Sequence, residues 1–347
     1  MTGAVTGAVT GQGPAGEPLA HYLHAQAGGF LRGLRLHREA GPDGDLAEGA
    51  ARAMCAATRR IGATLHTFRP LLDAAWADRL STELAWLSST LGGEHTCAAR
   101  LARLLDALHR LAGGGPTPPR AEGGTPATGT LAVGAARAGA LLDRQLTPAR
   151  TRAHSAALQA LGSSRFHAVA DAVALLASEA PLAVAAAAPA AEVLTPAALA
   201  AEERLARAVA ELPLARAARP YNAEALVQQS ESQDHPWHQV RRLLRLHRYA
   251  QEVLHPEPAG RPLDEPCGDA RLPGAGRALD RHRDAAEAAA AASAAARTPR
   301  IAPATAYALG VLHADQRHEV EAARFAFQRI WQPVAVTTAP AATTAAS

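Results

Sequence analysis

The side chains with the clearest chemistry lie in one stretch, WHQVRRLLRLHRYAQEVLH, from Trp237 to His255. Because an α-helix turns about 100° per residue, seven polar side chains of this stretch fall within an arc of about 120°. They are His238, Arg241, Arg242, Arg245, Arg248, Tyr249 and Glu252. Apolar residues fill the rest of the circle, so the stretch predicts an amphipathic helix whose polar face is almost purely basic.

A basic face of this kind suits phosphate. Arginines on one face repel each other, whereas exposed helices usually mix charges at i,i+4. The planar guanidinium group can donate two parallel hydrogen bonds to phosphate oxygens, and a bound anion would offset the repulsion. The same pattern also fits a solvated face that acids of a neighbouring helix neutralise. The helix by itself leaves both interpretations open.

A second stretch, RAMCAATRRIGATLHTFR from residue 52 to residue 69, follows the same register. When Arg52 is aligned with His238, Arg59 matches Arg245. The repeat predicts an internal duplication, with a pseudo-two-fold relation between the two halves. The two helices could then face one central channel.

Other kinds of chemistry find little support in the residues. There is no GxSxG elbow and no glycine-rich phosphate loop, and the acids Asp234, Asp284 and Glu252 are better explained as helix caps or arginine partners. Among fifteen histidines, the Glu252-x-x-His255 spacing resembles half of a di-iron site, but no second ExxH appears in the matching half. We therefore predict a protein that is not an enzyme and that holds neither metal nor cofactor.

Composition indicates helices rather than strands. The 347 residues are 48% hydrophobic, with alanine prominent, and only 4% aromatic; alanine is the best helix former. The formal net charge is only +3, so a preference for anions must come from where the charges lie. The sequence contains no lysine, and all 35 basic residues are arginine. Three cysteines without CxxC spacing argue against a disulfide framework or a zinc site.

Helical periodicity broken by glycine and proline gives the predicted elements. We predict an all-α chain with a disordered leader over residues 1–16, one half over 17–180, a second over 181–333, and a disordered tail over 334–347. The main breaks are predicted at Gly113 to Gly129 and Pro256 to Gly276. The predicted helices are Pro18 to Arg38, Asp45 to Phe68, Ala74 to Leu111, Leu131 to Leu161, Arg165 to Ser178, Pro196 to Leu212, Pro236 to His255, Gly276 to Ala296 and Ala302 to Trp331.

No basic-then-apolar signal segment opens the chain, and no apolar run reaches the length of a membrane span. These features predict a cytoplasmic protein without a membrane partner.

Several segments resemble the CHAD family (conserved histidine α-helical domain). ARAMCAATRRIGA is similar to the family's VHxMRVATRRLRS, and LHTFRPLLDAAWADRLSTELAWL (65–87) to LRTFRPLLDRAWADRLRDELKWL. WHQVRRLLRLHRYAQE is similar to LHxVRKAAKRLRYAAE, and LDRHRDAAEA (279–288) to LGEHQDAVVA. AYALGVLHADQRHEVEAARFAFQRIW resembles the closing helix, so that the resemblance spans about Glu17 to Trp331.

The resemblance implies two four-helix bundles around a basic channel that binds inorganic polyphosphate. Carried over by position, the implied polyphosphate contacts are His238, Arg241, Arg242, Arg245 and Arg248, with Arg52, Arg59 and Arg60 in the first half. Tyr249, His282 and Asp284 are the implied supporting residues, and we expect Asp284 to orient an arginine. The implied partners are polyphosphate or another phosphate polyanion, polyphosphate granules and a separate phosphatase.

The first half contains several departures from the family pattern, and in the second half Leu246 replaces a usual base. Arg52 stands where the family has histidine, Cys55 where it has arginine, and Gly62 where it has a third base. A diverged structural or adaptor scaffold that has lost strong polyanion binding is therefore the second hypothesis. Nucleic acid fits less well than polyphosphate, because single-strand binding interleaves aromatic side chains and the basic face offers only Tyr249.

Overall fold

The computed structural model describes residues 13–40, 45–113, 126–219, 231–255 and 269–332. Over these ranges the backbone forms ten α-helices and no strand, which confirms the all-α class. The helices are α1 (Gly16–Ala40), α2 (Asp45–Thr67), α3 (Ala74–Leu111), α4 (Pro126–Leu161), α5 (Ser164–Leu176), α6 (Ala190–Ala210), α7 (Leu214–Ala217), α8 (His235–Leu254), α9 (Arg271–Ala296) and α10 (Pro303–Trp331). All nine predicted helices are present, and the four-residue α7 is an addition.

Three helix starts differ from their predicted positions. α4 begins at Pro126, inside the predicted Gly113–Gly129 loop, and α9 begins at Arg271, inside the predicted Pro256–Gly276 break. Proline is tolerated in the first turn of a helix, whose N–H groups have no intrahelical acceptor, so that Pro126 and Pro273 fit at helix starts. α6 begins at Ala190, before the predicted Pro196 start. The remainder of both breaks lies outside the described residues.

The end of the predicted leader is paired with the chain before α6. The Ala15 amide donates to the Ala188 carbonyl at 2.9 Å, and the Ala190 amide donates to the Gly13 carbonyl at 2.9 Å. Residues 13–16 are therefore packed against the protein, although the sequence assigned them to the leader. Residues 1–12 and the predicted tail lie outside the described part of the chain.

Buried side chains form three main clusters. The first joins α1, α2, α3 and α5 to α6 and to the end of α8. The second packs α3 and α4 against α9 and α10, with Ala288, Ala292 and Ala295 fully buried. The third lies among α6 to α10 around Trp237 and Phe327. The first two clusters contain residues from both sides of residue 180, so the two predicted halves share buried surface.

Small residues let these helices approach closely. A Cβ atom on Gly134 of α4 would collide with the backbone carbonyl of Ala304 at the start of α10. Alanine fills the α9–α10 interface in the same way, which explains how a chain with few aromatic residues builds a core. This packing places α2 beside α8 and α9 on the other side of α8. The duplication and its pseudo-two-fold symmetry stay predictions.

Candidate functional site

Helix α8 has the two faces that its sequence predicts. Its apolar residues Trp237, Val240, Leu244, Ala250 and Val253 are buried against the neighbouring helices. Pro236 lies in the first turn, where a missing N–H costs little. The basic side chains lie on the remaining surface between α2, α6 and α9.

Tyr249 is buried rather than presented on the polar face. Its side chain is only 6% exposed. The guanidinium carbons of Arg60 and Arg248 each lie 5.2 Å from the centre of its ring. Cation–π attraction holds these arginines against the ring. Tyr249 therefore supports two arginines and is not available for stacking on a base.

Glu252 ties α8 to the first half of the chain. One carboxylate oxygen accepts a hydrogen bond from the Tyr22 hydroxyl at 2.7 Å and another from Arg60 Nε at 2.9 Å. The other oxygen lies 3.7 Å from Arg248 Nε. Glu252 is thus an arginine partner, and two of the predicted phosphate contacts, Arg60 and Arg248, already have a carboxylate.

Arg245 has a different environment. Its side chain is partly buried, and within the described residues its guanidinium group makes no ion pair or hydrogen bond. The pKa of Arg245 is lowered to about 10, mainly by burial and also by the positive charges of Arg241 and Arg59, while Tyr249 and Asp280 act in the opposite direction. A cation in this position is stabilised poorly by the protein, so the site favours an added anion.

The neighbours of Arg245 are also basic. Arg59, which the repeat aligns with Arg245, is exposed on α2 and makes no ion pair with a described residue. Arg241 Nε lies 2.5 Å from Asp280 Oδ1 of α9. Burial lowers the pKa of His238, although Asp234 and Glu287 oppose this shift. We call Arg59, His238, Arg241 and Arg245 the basic surface.

Two predicted contacts lie apart from this surface. Arg242 is exposed on α8 close to His66 of α2 and Arg204 of α6; burial and the charges of these two arginines lower the pKa of His66. Arg52 is 59% exposed, and its described partner is Glu48, one turn earlier on the same helix, at 3.9 Å. The structure shows no contact between Arg52 and α8.

A buried ionic network lies at the start of α8. Asp234 Oδ2 accepts from Arg317 Nη1 at 2.7 Å, and Oδ1 accepts from Arg324 Nη2 at 2.7 Å. All three side chains are less than 10% exposed. Burial acts to raise the pKa of Asp234, but His282 beside its carboxylate and the hydrogen bonds from Arg317 hold it far below its usual range. The carboxylate therefore stays ionised as an arginine partner.

Sequence reasoning anticipated Asp234 but not its partners. Arg317 and Arg324 are seven residues apart, so they lie on the same face of α10. Val320 and Phe327 are buried on that helix too. Two arginines in register with buried apolar residues are a signal that could have revealed the network.

His282 is a buried residue that contacts His238 of the basic surface. It is 1% exposed, its Nε2 accepts from Arg324 Nε at 3.2 Å, and its ring stacks on Trp237 at 5.5 Å. His238 packs edge-on against it at 5.5 Å. Burial lowers the pKa of His282 to about 4. His282 is thus a neutral positioning residue for His238. Asp284 accepts from Nε of the adjacent Arg283 at 2.9 Å.

The pKa of His282 gives the protein a pH-dependent stability. An unfolded histidine takes up a proton near pH 6.5, whereas folded His282 does so only near pH 4, so the unfolded state gains protons in this window. We expect His282 to lower the free energy of unfolding by about 3 kcal/mol between pH 7 and pH 4. Urea unfolding of wild type and His282→Gln checks this. The difference between them should shrink as the pH falls, and a constant difference would contradict the assignment.

No group of three histidine, cysteine or acidic side chains in the described ranges could hold a metal ion. None of the helices in the described part of the chain is long and apolar enough to cross a membrane.

Comparisons with known proteins agree with this architecture. The family model of the CHAD domain matches residues 25–291, and CHAD is known as a polyphosphate-binding family. The solved structure "PptA from Streptomyces chartreusis" is 57% identical, with a TM-score of 0.73, over 92% of this chain and 99% of that one. The CHAD domain of the plant Ricinus communis shares the fold at 18% identity and a TM-score of 0.56, over 93% and 96% of the two chains. No curated protein matches. With a family match that covers most of its length, the chain belongs to the CHAD domain family.

Proposed function

We propose that this protein binds inorganic polyphosphate, or a similar phosphate polyanion, without acting on it as an enzyme. The main support is Arg245, a partly buried cation whose guanidinium group has no partner among the described residues. Arg59 and Arg241 surround it with further positive charge. Asp280 neutralises this cluster only in part, through its pair with Arg241, so the remaining positive charge costs folding free energy and is better explained by a ligand than by stability.

The chemistry of the basic surface fits phosphate in particular. Guanidinium groups donate paired hydrogen bonds to phosphate oxygens, and a polymer of phosphates can contact α2 and α8 at once. Such binding weakens as salt rises, because the counter-ions that the ligand releases become more concentrated. Tyr249 is covered by Arg60 and Arg248, so the surface lacks the stacking platform that bases need. Polyphosphate granules and a separate phosphatase are the partners that this role suggests.

Calorimetry of long-chain polyphosphate at two salt concentrations tests the proposal. Wild type should bind at 50 mM salt and lose at least about tenfold in affinity at 200 mM salt. Arg241→Ala/Arg245→Ala should abolish measurable binding at the higher salt. Arg35→Ala/Arg38→Ala, which removes the same charge from exposed positions at the end of α1, should stay close to wild type. Folded wild type that binds no polyphosphate at 50 mM salt would refute the function.

A structural or adaptor scaffold is the alternative, and the ion pairs favour it. Arg60 and Arg248 share Glu252, and Arg241 is paired with Asp280. Arginines whose charges are neutralised by carboxylates of the same protein need no bound anion. The same calorimetry separates the two functions, because a scaffold of this kind would show weak binding that is equal in wild type and in both double variants.

A further inference from the structure

The acidic partners of the arginines differ in how firmly they are held. Glu252 is 24% exposed and bonds Tyr22, Arg60 and Arg248 together, so it belongs to the interior contact between α2 and α8. Asp280 is 53% exposed, and its one ion-pair partner among the described residues is Arg241. The Asp280 carboxylate therefore pairs with Arg241 on the solvent-facing side of the basic surface.

Asp280 accepts a hydrogen bond from Arg241 that a phosphate oxygen could accept in its place. Its Oδ1 lies 2.5 Å from Nε of Arg241, whose side chain is only 14% exposed. This is the geometry of a charge-assisted hydrogen bond to an oxyanion. The negative charge of Asp280 also raises the pKa of Arg245 against the effects of burial and of Arg241. Asp280 thus partly neutralises both arginines.

We propose that Asp280 is an intramolecular competitor that sets the ligand selectivity of the basic surface. The inference rests on the proposed function. Asp280 is tethered to α9, so it competes at a high effective concentration. A small phosphate anion gains too few contacts to displace it. A long polyanion also contacts Arg59, Arg245 and His238, so it can bind through these residues while the Arg241–Asp280 pair stays intact.

Asp280→Asn tests this role, with tripolyphosphate and long-chain polyphosphate as separate calorimetric probes at 50 mM salt. The variant should bind tripolyphosphate about three- to tenfold more tightly than wild type, because a competing and repelling charge is gone. The gain for long chains should be smaller, so that the preference of wild type for long chains is reduced. Asp280→Ala should shift affinity in the same direction, which guards against an effect of the asparagine amide.

Two controls separate competition from a general change in charge. Asp171→Asn changes the net charge equally at an exposed position of α5, a helix that packs on α1, α3 and α4, and it should stay within about twofold of wild type. In an Arg241→Gln background, Asp280→Asn should lose most of its gain. Unchanged or weaker tripolyphosphate binding by both Asp280 variants would overturn the inference, as would an equal gain with Asp171→Asn. If wild type binds no long-chain polyphosphate at all, the proposed function itself fails.

Discussion

Replacing Arg245 with methionine should weaken the binding of long-chain polyphosphate and raise the melting temperature of the free protein. Hydrogen bonds to charged groups contribute about 1.5–3 kcal/mol, so the loss of affinity should be about tenfold to a hundredfold at low salt. Stability should move in the opposite direction. The pKa of Arg245 is lowered to about 10 because the folded state stabilises its charge poorly, and methionine removes that charge while keeping much of the apolar stem.

The expected gain in stability is about 1–2 kcal/mol, or a rise of about 1–3 °C in the melting temperature of a chain of this size. Calorimetric titration measures the change in affinity, and thermal unfolding of the same samples measures the change in melting temperature. Arg35→Met is the matched control, because it removes an exposed arginine on α1 and should change neither quantity much. A variant that loses stability and binds polyphosphate normally would show that Arg245 serves the fold and not the ligand.

Asp234→Asn should lower the free energy of unfolding by about 3–5 kcal/mol. Asp234 is the carboxylate between Arg317 and Arg324, and all three side chains are buried. Asparagine keeps the shape but removes the negative charge, so the buried Arg317 and Arg324 lose the carboxylate that lies between them, although Arg324 keeps its pair with Glu321 at 2.7 Å. Breaking a buried ion pair from one side costs far more than the pair contributes in net terms.

Urea unfolding at neutral pH measures this loss. Asp78→Asn removes a carboxylate from the exposed Arg69 pair, at 2.6 Å, and should cost less than about 1 kcal/mol. The pKa of Asp234 is held far below that of an unfolded aspartate, about 3.9. Its contribution is therefore complete above that value and is lost only as the pH falls toward the folded pKa. A loss at neutral pH no larger than that of Asp78→Asn would mean that the two arginines find other neutralisation.

The sequence alone determined the helices and the basic face of α8. Helical periodicity and capping depend on residues three or four positions apart, so all nine predicted helices are present in the structure. The family could also be identified from the sequence, because its motifs are short, continuous stretches of residues. The starts of α4 and α9 were misplaced where proline lies in a first turn and was interpreted as a break.

Only the tertiary structure decided which arginines are neutralised. The helical pattern gives equivalent positions to His238, Arg241, Arg245 and Arg248. Arg241 is nevertheless paired with Asp280 of α9, and Arg248 is paired with Glu252. Arg245 instead lies beside the positive charge of Arg59. Asp234 and its two arginines are separated by about eighty to ninety residues in the chain. Ion pairing and burial depend on how helices pack together, which local periodicity does not specify, and these contacts determine where an added phosphate would be stabilised.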